Sequence, residues 1–218
     1  MATYSIERTV GPVNEPVTKE AAKRQCRIED SEPAFDLWLE GEDGVEKGAI
    51  ASARELVESD TNQVLMPQTF VLKASGFDDL LTGDGYIDLE RHPIRSLSSV
   101  NYFDSAGAAQ TVSTSLFDIS REKFRSRLYL VSSDTTLPTL NGVRKWPLSL
   151  TLLGGYSLAT ADARDQRAAV PRAATMAILL LLGHWFRNRE SVAVGTISNE
   201  IEQSYRALVR SLKQERYR

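Results

Sequence analysis

The chain is poor in the side chains from which most active sites and metal centres are built. Its 218 residues include one cysteine, Cys26, and two histidines, His92 and His184. A single cysteine excludes an intrachain disulfide and a cysteine-cluster metal site, and it suits a reducing compartment. The sequence also has no Walker A loop, no dinucleotide-binding glycine pattern and no serine nucleophile elbow. No sequence motif therefore supports nucleotide binding or nucleophilic catalysis.

A strong charge of either sign is also missing. Lysine and arginine number 26, and aspartate and glutamate number 29, for a formal net charge of −3. A free-standing nucleic-acid binder usually carries a clear basic excess, which this chain does not have. Residues 1–18 contain no apolar export core, so we expect no signal peptide. The most apolar stretch, 173–186, is shorter than the ~20 residues that a membrane span needs, and we expect it in a protein core.

Side chains that could still bind a ligand have simpler explanations. His92 lies at a turn, and His184 lies on an apolar helical stretch, where a histidine is usually a satisfied core or interface residue. Four aspartates lie near two glycines, but their spacing is irregular and lacks the closing glutamate of a calcium loop. These aspartates are Asp78, Asp79, Asp84 and Asp88. We therefore expect no metal, no cofactor and no enzymatic activity.

Hydrophobic periodicity divides the chain into helical ends and a central stretch of strands. A period of 3.6 residues predicts a helix that opens at Thr18, and further helices over 46–62, 171–188 and from 199 onward. Between 64 and 153, short alternating runs of β-branched and aromatic residues predict antiparallel strands. The acidic stretch 29–46 is expected to be a loop with one helical turn, and 159–169 a loop.

We therefore expect an α+β protein with two domains. A discontinuous helical bundle would comprise 17–63 and 170–213, and a small antiparallel β-sandwich or barrel, 64–169, would be inserted between its two parts. Residues 1–16 contain a glycine and two prolines and predict a flexible arm. Residues 214–218 form a basic C-terminal tail in this division.

The apolar helix over 171–188 is the first candidate for an interaction surface. A helix that is apolar on most sides must be buried on most sides. In a chain of this size, such burial predicts contacts with neighbouring subunits as well as with the chain's own fold. The candidate interface residues are Ala173, Ala177, Ile178, Leu181, His184 and Trp185.

The last helix is the second candidate. Between 201 and 218, five basic residues are set against two acidic ones, although the whole chain is acidic. One interpretation is a solvated face, with Glu202 and Arg206 paired one helical turn apart. The other is a docking helix, whose apolar stripe contacts a partner and whose cations contact acidic side chains or nucleic acid. The candidate docking residues are Tyr205, Arg206, Leu208, Arg210, Leu212 and Lys213.

Taken in order, a set of short segments resembles one protein family. The segments are VTKEAAK at 17–23, CRI at 26–28, AIASARELVE at 49–58, VL at 64–65, QTF at 68–70, DL at 88–89, PIRSLSSV at 93–100, YFD at 102–104, Gly107, GGY at 154–156, VP at 170–171, AI at 177–178 and HWFRNRE at 184–190. Their order and spacing resemble the head–tail connector (adaptor) proteins of tailed phages, of the DNA-packaging type, which also occur in gene transfer agents. The resemblance covers roughly residues 16–190.

The resemblance implies a structural subunit of the particle neck in the virion, assembled in the host cytoplasm. Such subunits form a dodecameric ring under the portal protein, and the ring extends the DNA channel and carries the stopper or tail-terminator protein. It also implies that the helical domain builds the ring, that the β domain faces outward or toward the tail, and that the C-terminal helix docks on the portal. A near-neutral chain suits a channel through which packaged DNA must slide.

A second function stays open. A DNA-packaging accessory protein would bind nucleic acid through the basic C-terminal helix without forming a permanent ring. Such binding would weaken with salt, because cations released from the phosphates drive it. Removal of 206–218 would abolish it.

The predicted apolar stripe of the last helix generates a mutational test. Leu208→Asp combined with Leu212→Asp is expected to leave the fold intact and to abolish attachment to the portal, because the substitutions place charge in the predicted docking surface. A pull-down with the portal measures the effect. Unchanged attachment would contradict the assignment.

Overall fold

The structure is a computed structural model that describes residues 4–29, 32–42, 47–78, 80–81, 85–132, 136–188 and 199–213. The chain splits into two compact units. The helical unit comprises Val13–Met66 and Thr160–Arg218, and the β unit comprises Met1–Pro12 and Pro67–Ala159. The predicted α+β fold class is confirmed, because the helices come from the two chain ends and the antiparallel sheets from the middle. The expected basic tail, 214–218, lies outside the described residues.

Six helices lie among the described residues of the helical unit. They are α1 (Lys19–Cys26), α2 (Ala34–Glu40), α3 (Ala49–Thr61), α4 (Ala163–Ala169), α5 (Arg172–Arg187) and α6 (Asn199–Leu212). The hydroxyl of Thr18 accepts the Ala21 N–H at 3.2 Å and caps α1, as the sequence predicts. Asn62, whose φ is 55°, ends α3 in the left-handed region that asparagine tolerates.

Helix α5 is the centre of the helical unit. It contacts α1, α3 and α6, while α2 contacts α1 and α3. One face of α5 supplies fully buried aliphatic side chains, which are Ala174, Ala177, Ile178 and Leu182. These positions recur at helical spacing and therefore lie on the same side. Because full burial of a leucine or isoleucine contributes roughly 1.5–3 kcal/mol, this face fixes the neighbouring helices against α5.

An ion cluster fastens α1 to α2. The Lys23 Nζ lies 2.6 Å from Asp36 Oδ1, and the Lys19 Nζ lies 3.3 Å from Asp36 Oδ2 and 3.0 Å from Glu40 Oε2. The hydrogen bond from Lys23 is the largest of the effects that hold the pKa of Asp36 below its ordinary value. Helix α2 thus occupies the middle of the acidic stretch 29–46, of which residues 30–31 and 43–46 lie outside the described part of the chain.

A buried arginine joins the segments by which the chain enters and leaves the helical unit. Arg54, on α3, is 2% exposed. Its Nε donates to Glu15 Oε2 at 2.7 Å, and its Nη1 donates to Glu58 Oε2 at 2.8 Å. Glu58 Oε1 accepts the Leu65 N–H at 2.8 Å, and the Arg167 Nε donates to the Glu15 carbonyl at 3.1 Å. Arg54 and Glu58 are thus both buried, and their opposite charges meet inside the unit.

The β unit contains two antiparallel sheets. Its strands are β1 (Tyr4–Val10), β2 (Gln68–Ala74), β3 (Tyr86–Leu89), β4 (Ile94–Phe103), β5 (Ala109–Val112), β6 (Phe117–Arg121), β7 (Ser126–Leu130) and β8 (Leu148–Gly154). The five-stranded sheet has the order β1-β2-β8-β4-β5, and the three-stranded sheet has the order β3-β7-β6. Strand β8 lies between β2 and β4, so this sheet is complete only when segments distant in sequence have met.

Alternating burial along the central strands forms the core of the β unit. Strands β2 and β8 point every second side chain inward, including Phe70, Leu72, Leu148, Leu150 and Leu152. His92 is buried as well, with its Nδ1 3.1 Å from the Ser126 Oγ, and burial lowers its pKa. The same hydroxyl accepts the Ile94 N–H at 2.9 Å, so His92 and Ser126 connect β4 to β7.

Two segments differ from their predicted structure. Residues 4–10 form β1 and pair with β2, where the sequence predicted a flexible arm over 1–16. The strand was missed because most of its side chains are exposed and its partner lies about sixty positions away. Residues 163–169 form α4 instead of the predicted loop, because Asp162 Oδ1 accepts the Asp165 N–H at 2.8 Å and caps the helix.

Replacing Arg54 with alanine is expected to destabilise the helical unit by about 3–5 kcal/mol, because it leaves Glu58 buried without its counterion. Denaturant unfolding measures this change. Lys47→Ala is the matched control, since the Lys47–Glu55 pair is exposed and such pairs contribute about 0–1 kcal/mol. Equal stability of the two variants would contradict the structural role of Arg54.

Candidate assembly surfaces of the helical unit

The predicted interface residues of α5 divide between the core and the surface. Ala177, Ile178 and Leu181 are buried inside the helical unit of the single chain. Periodicity shows that a face is apolar and not what covers it, so the ring interface stays a prediction. Ala173, His184 and Trp185 are half-buried and stay within reach of a partner.

An apolar stripe runs along the outer side of α5. We call Met176, Leu179 and Leu180 the outer stripe. Met176 is 54% exposed, and the two leucines are half-buried. The spacing of three and four residues places them on one face, opposite much of the core. The sequence shows that this helix is apolar on most sides, but the pattern alone does not separate the outer face from the inner one.

A groove lies where α2, the start of α3 and the end of α5 come together. Its volume is about 540 Å³. Its lining consists of Leu37, Trp38, Gly41, Lys47, Gly48, Ala49, Ser52, His184, Trp185 and Asn188. Leu37 is 65% exposed at this groove. The Lys47 Nζ lies 2.5 Å from Glu55 Oε1, so the groove's lysine is already paired.

The groove is held in shape by aromatic packing and by the capped end of α5. The Phe35 and Phe186 rings meet edge to face with centroids 5.4 Å apart, and the Trp38 and Phe186 centroids are 5.7 Å apart. The Asn188 Nδ2 lies 3.0 Å from the His184 Nδ1 and donates to the His184 carbonyl at 2.9 Å. His184 therefore helps to end α5 and lines the groove. The sequence made it an interface candidate because it lies on an apolar helical stretch.

The inner face of α6 is anchored to the rest of the helical unit. The Tyr205 hydroxyl donates to Asp60 Oδ2 at 2.7 Å, and burial, followed by this carboxylate, raises the pKa of Tyr205. The Gln63 Nε2 donates to the Leu212 carbonyl at 2.7 Å. Leu212 is 6% exposed, so an aspartate there would be buried and would disturb the fold. The expectation that Leu208→Asp with Leu212→Asp leaves the fold intact is therefore wrong for Leu212. Tyr205 and Leu212 hold α6 against the rest of the helical unit.

The outer face of α6 carries a row of cations. Arg206, Arg210 and Lys213 are exposed, and their spacing of four and three residues places them along one side of the helix. Arg206 forms an ion pair with Glu202 one turn earlier. The cation row can bind carboxylates or phosphates at a surface, and it is the part of the predicted docking set that faces outward.

No group of three or more His, Cys, Asp or Glu side chains among the described residues is arranged to hold a metal ion. Asp79 and Asp84 of the acidic patch lie outside the described part of the chain. No single described helix is long and apolar enough to cross a membrane, and only α4 with α5, bent by 101° between them, passes a test of length and composition.

The chain has an α+β fold of two units, and α5, at the centre of the helical unit, carries apolar side chains on its inner and outer faces. No protein-family model matches the sequence, and no curated protein matches it. Solved structures do match the fold over nearly the whole chain.

The matching structures come from gene transfer agent (GTA) particles. A chain in the neck of an empty GTA particle, determined with C6 symmetry, superposes with a TM-score of 0.73 at 16% identity, over 98% of this chain and 97% of that one. A chain in the virion of a native GTA particle gives 0.69 at 15% identity, with coverage of 98% and 97%. A chain in the neck of a native GTA particle with C12 symmetry gives 0.62 at 17% identity, with coverage of 96% and 97%. At these identities the likeness shows a shared fold.

Proposed function

We propose that this chain is a structural subunit of the neck of a tailed phage or a phage-like particle such as a GTA. In this role it is the head-to-tail connector, or adaptor, whose ring under the portal extends the DNA channel and carries the stopper or tail-terminator protein. The observation that carries the proposal is the likeness of fold to GTA neck chains over 98% of the sequence. The sequence segments that resemble head–tail connectors support it independently.

The ring is attributed to the helical unit. A ring subunit contacts one neighbour on each side, so it needs two contact surfaces that its own fold leaves exposed. Helix α5 carries a partly exposed outer stripe in addition to its core face. The two neck structures were determined with C6 and C12 symmetry, which agrees with a dodecamer. The near-neutral chain, with a net charge of −3, suits a channel that must not hold DNA by strong phosphate contacts.

Oligomeric size is the first test of the ring. Light scattering or mass photometry, of the chain alone and mixed with the portal protein, is expected to show a species of twelve 24.2 kDa subunits, about 290 kDa, in one or both samples. A ring that appears only with the portal would show that assembly needs a template. A chain that stays monomeric in both samples would contradict the proposal.

The cation row of α6 is the proposed contact with the portal. Arg206→Glu with Arg210→Glu is expected to abolish portal attachment in a pull-down at moderate salt and to leave the fold intact, because both side chains are exposed. Arg164→Glu with Lys123→Glu changes the charge equally at other exposed positions and should attach normally. Normal attachment of the Arg206 and Arg210 variant would remove α6 from the portal interface.

The exposed cation row also supports the alternative of a DNA-packaging accessory. In that case the free chain would bind duplex DNA, the affinity would fall steeply with salt, and the Arg206 and Arg210 substitutions would abolish it. DNA binding of this kind by a chain that forms no ring would favour the accessory over the connector.

A further inference from the structure

The helical unit has two apolar surfaces of unlike shape on different sides of α5. The outer stripe around Met176 is a row of side chains on a convex helix face, and the groove beside Trp185 is a concavity of about 540 Å³. Met176 and Trp185 are nine positions apart, which at 3.6 residues per turn places them about 180° from each other. A copy that uses one surface therefore leaves the other available for a different neighbour.

Charged side chains lie beside both surfaces. Arg172 is exposed one helical turn before Met176 of the outer stripe. Glu42 is exposed next to Gly41 of the groove lining, whereas Lys47 of that lining is paired with Glu55, and the nearby Glu40 is paired with Lys19. Unlike charges at the rims of two apolar surfaces favour and orient their association.

We propose that the outer stripe of one copy packs into the groove of the next copy, with Met176 entering beside Leu37, Trp38 and Trp185. Arg172, beside the stripe, would face Glu42, beside the groove. This inference rests on the proposed ring and adds to it the two surfaces that form each subunit junction.

The unlike surfaces determine the type of assembly. A contact between two different patches is heterologous, so every added copy presents the same free stripe at one end and the same free groove at the other. Repetition of such a contact closes into a ring when the rotation between copies divides a full turn without a rise along the axis, and it otherwise gives an open helical filament. If the stripe paired with itself, the contact would be isologous and would stop at a dimer.

Cross-linking distinguishes these arrangements in the full-length chain. Met176→Cys with Leu37→Cys places both thiols in every copy, and the native Cys26 is buried. A short bismaleimide is expected to link the double variant into a ladder that extends beyond the dimer. Each single variant should give little product alone, and an equimolar mixture of the two single variants should give dimers and no longer species.

Other patterns would overturn the proposal. Dimers of Met176→Cys alone would show that the stripe pairs with itself, and dimers of Leu37→Cys alone would show the same for the groove. Absence of a ladder in the double variant under conditions where the wild-type chain forms rings would place the junction elsewhere. That result would leave the proposed function intact, whereas a wild-type chain without rings and a double variant without a ladder would overturn both.

A charge substitution gives an independent readout. Met176→Asp and Leu37→Asp, both at exposed positions, should each fold normally and reduce ring formation at least tenfold at a fixed concentration, because each places an uncompensated carboxylate in the junction. Val143→Asp, at an exposed valine of the β unit, is the matched control and should assemble like the wild type. Normal rings from Met176→Asp or Leu37→Asp would overturn the assignment.

Discussion

The helical unit depends on the ion pairs that the buried guanidinium of Arg54 forms with Glu15 and Glu58. The guanidinium binds Glu15, which precedes α1, and Glu58, which in turn accepts the Leu65 N–H just before the chain leaves for the β unit. Arg167 reaches the Glu15 carbonyl from α4, soon after the chain returns. A buried charge is tolerated only when it is paired and hydrogen-bonded, so Arg54 and Glu58 can stay buried only when these segments are held together.

Helix α5 has one face inside the helical unit and one face at its surface. Helices α1, α3 and α6 pack against α5, and Ile178 and Leu182 on its inner face are fully buried. The outer stripe around Met176 stays partly exposed. An exposed apolar row of this kind is a candidate interaction surface. The same division applies to α6, whose inner face holds Val209 and Leu212 and whose outer face holds the cation row.

Much of the architecture could be predicted from sequence because local periods carry it. The start of α1 at Thr18, the extent of α5, and the strands around Phe70 and Leu150 follow from caps and from apolar spacing. The interaction surfaces followed only in part. Arg206 and Arg210 are exposed, whereas Leu212 packs inside the helical unit. The groove beside Trp38 had no sequence signal, since it is built from three separate elements.

The sequence by itself determined most of the helices and strands, the near-neutral charge, and the presence of a helix that is apolar on most sides. These properties depend on neighbouring residues, so a linear pattern contains them. Only the tertiary structure decided that Arg54 lies inside, that residues 4–10 pair as β1 with β2, and that Ile178 faces inward while Met176 faces outward. Each of these depends on partners far away in the chain, and a periodic pattern identifies an apolar face without identifying what will cover it.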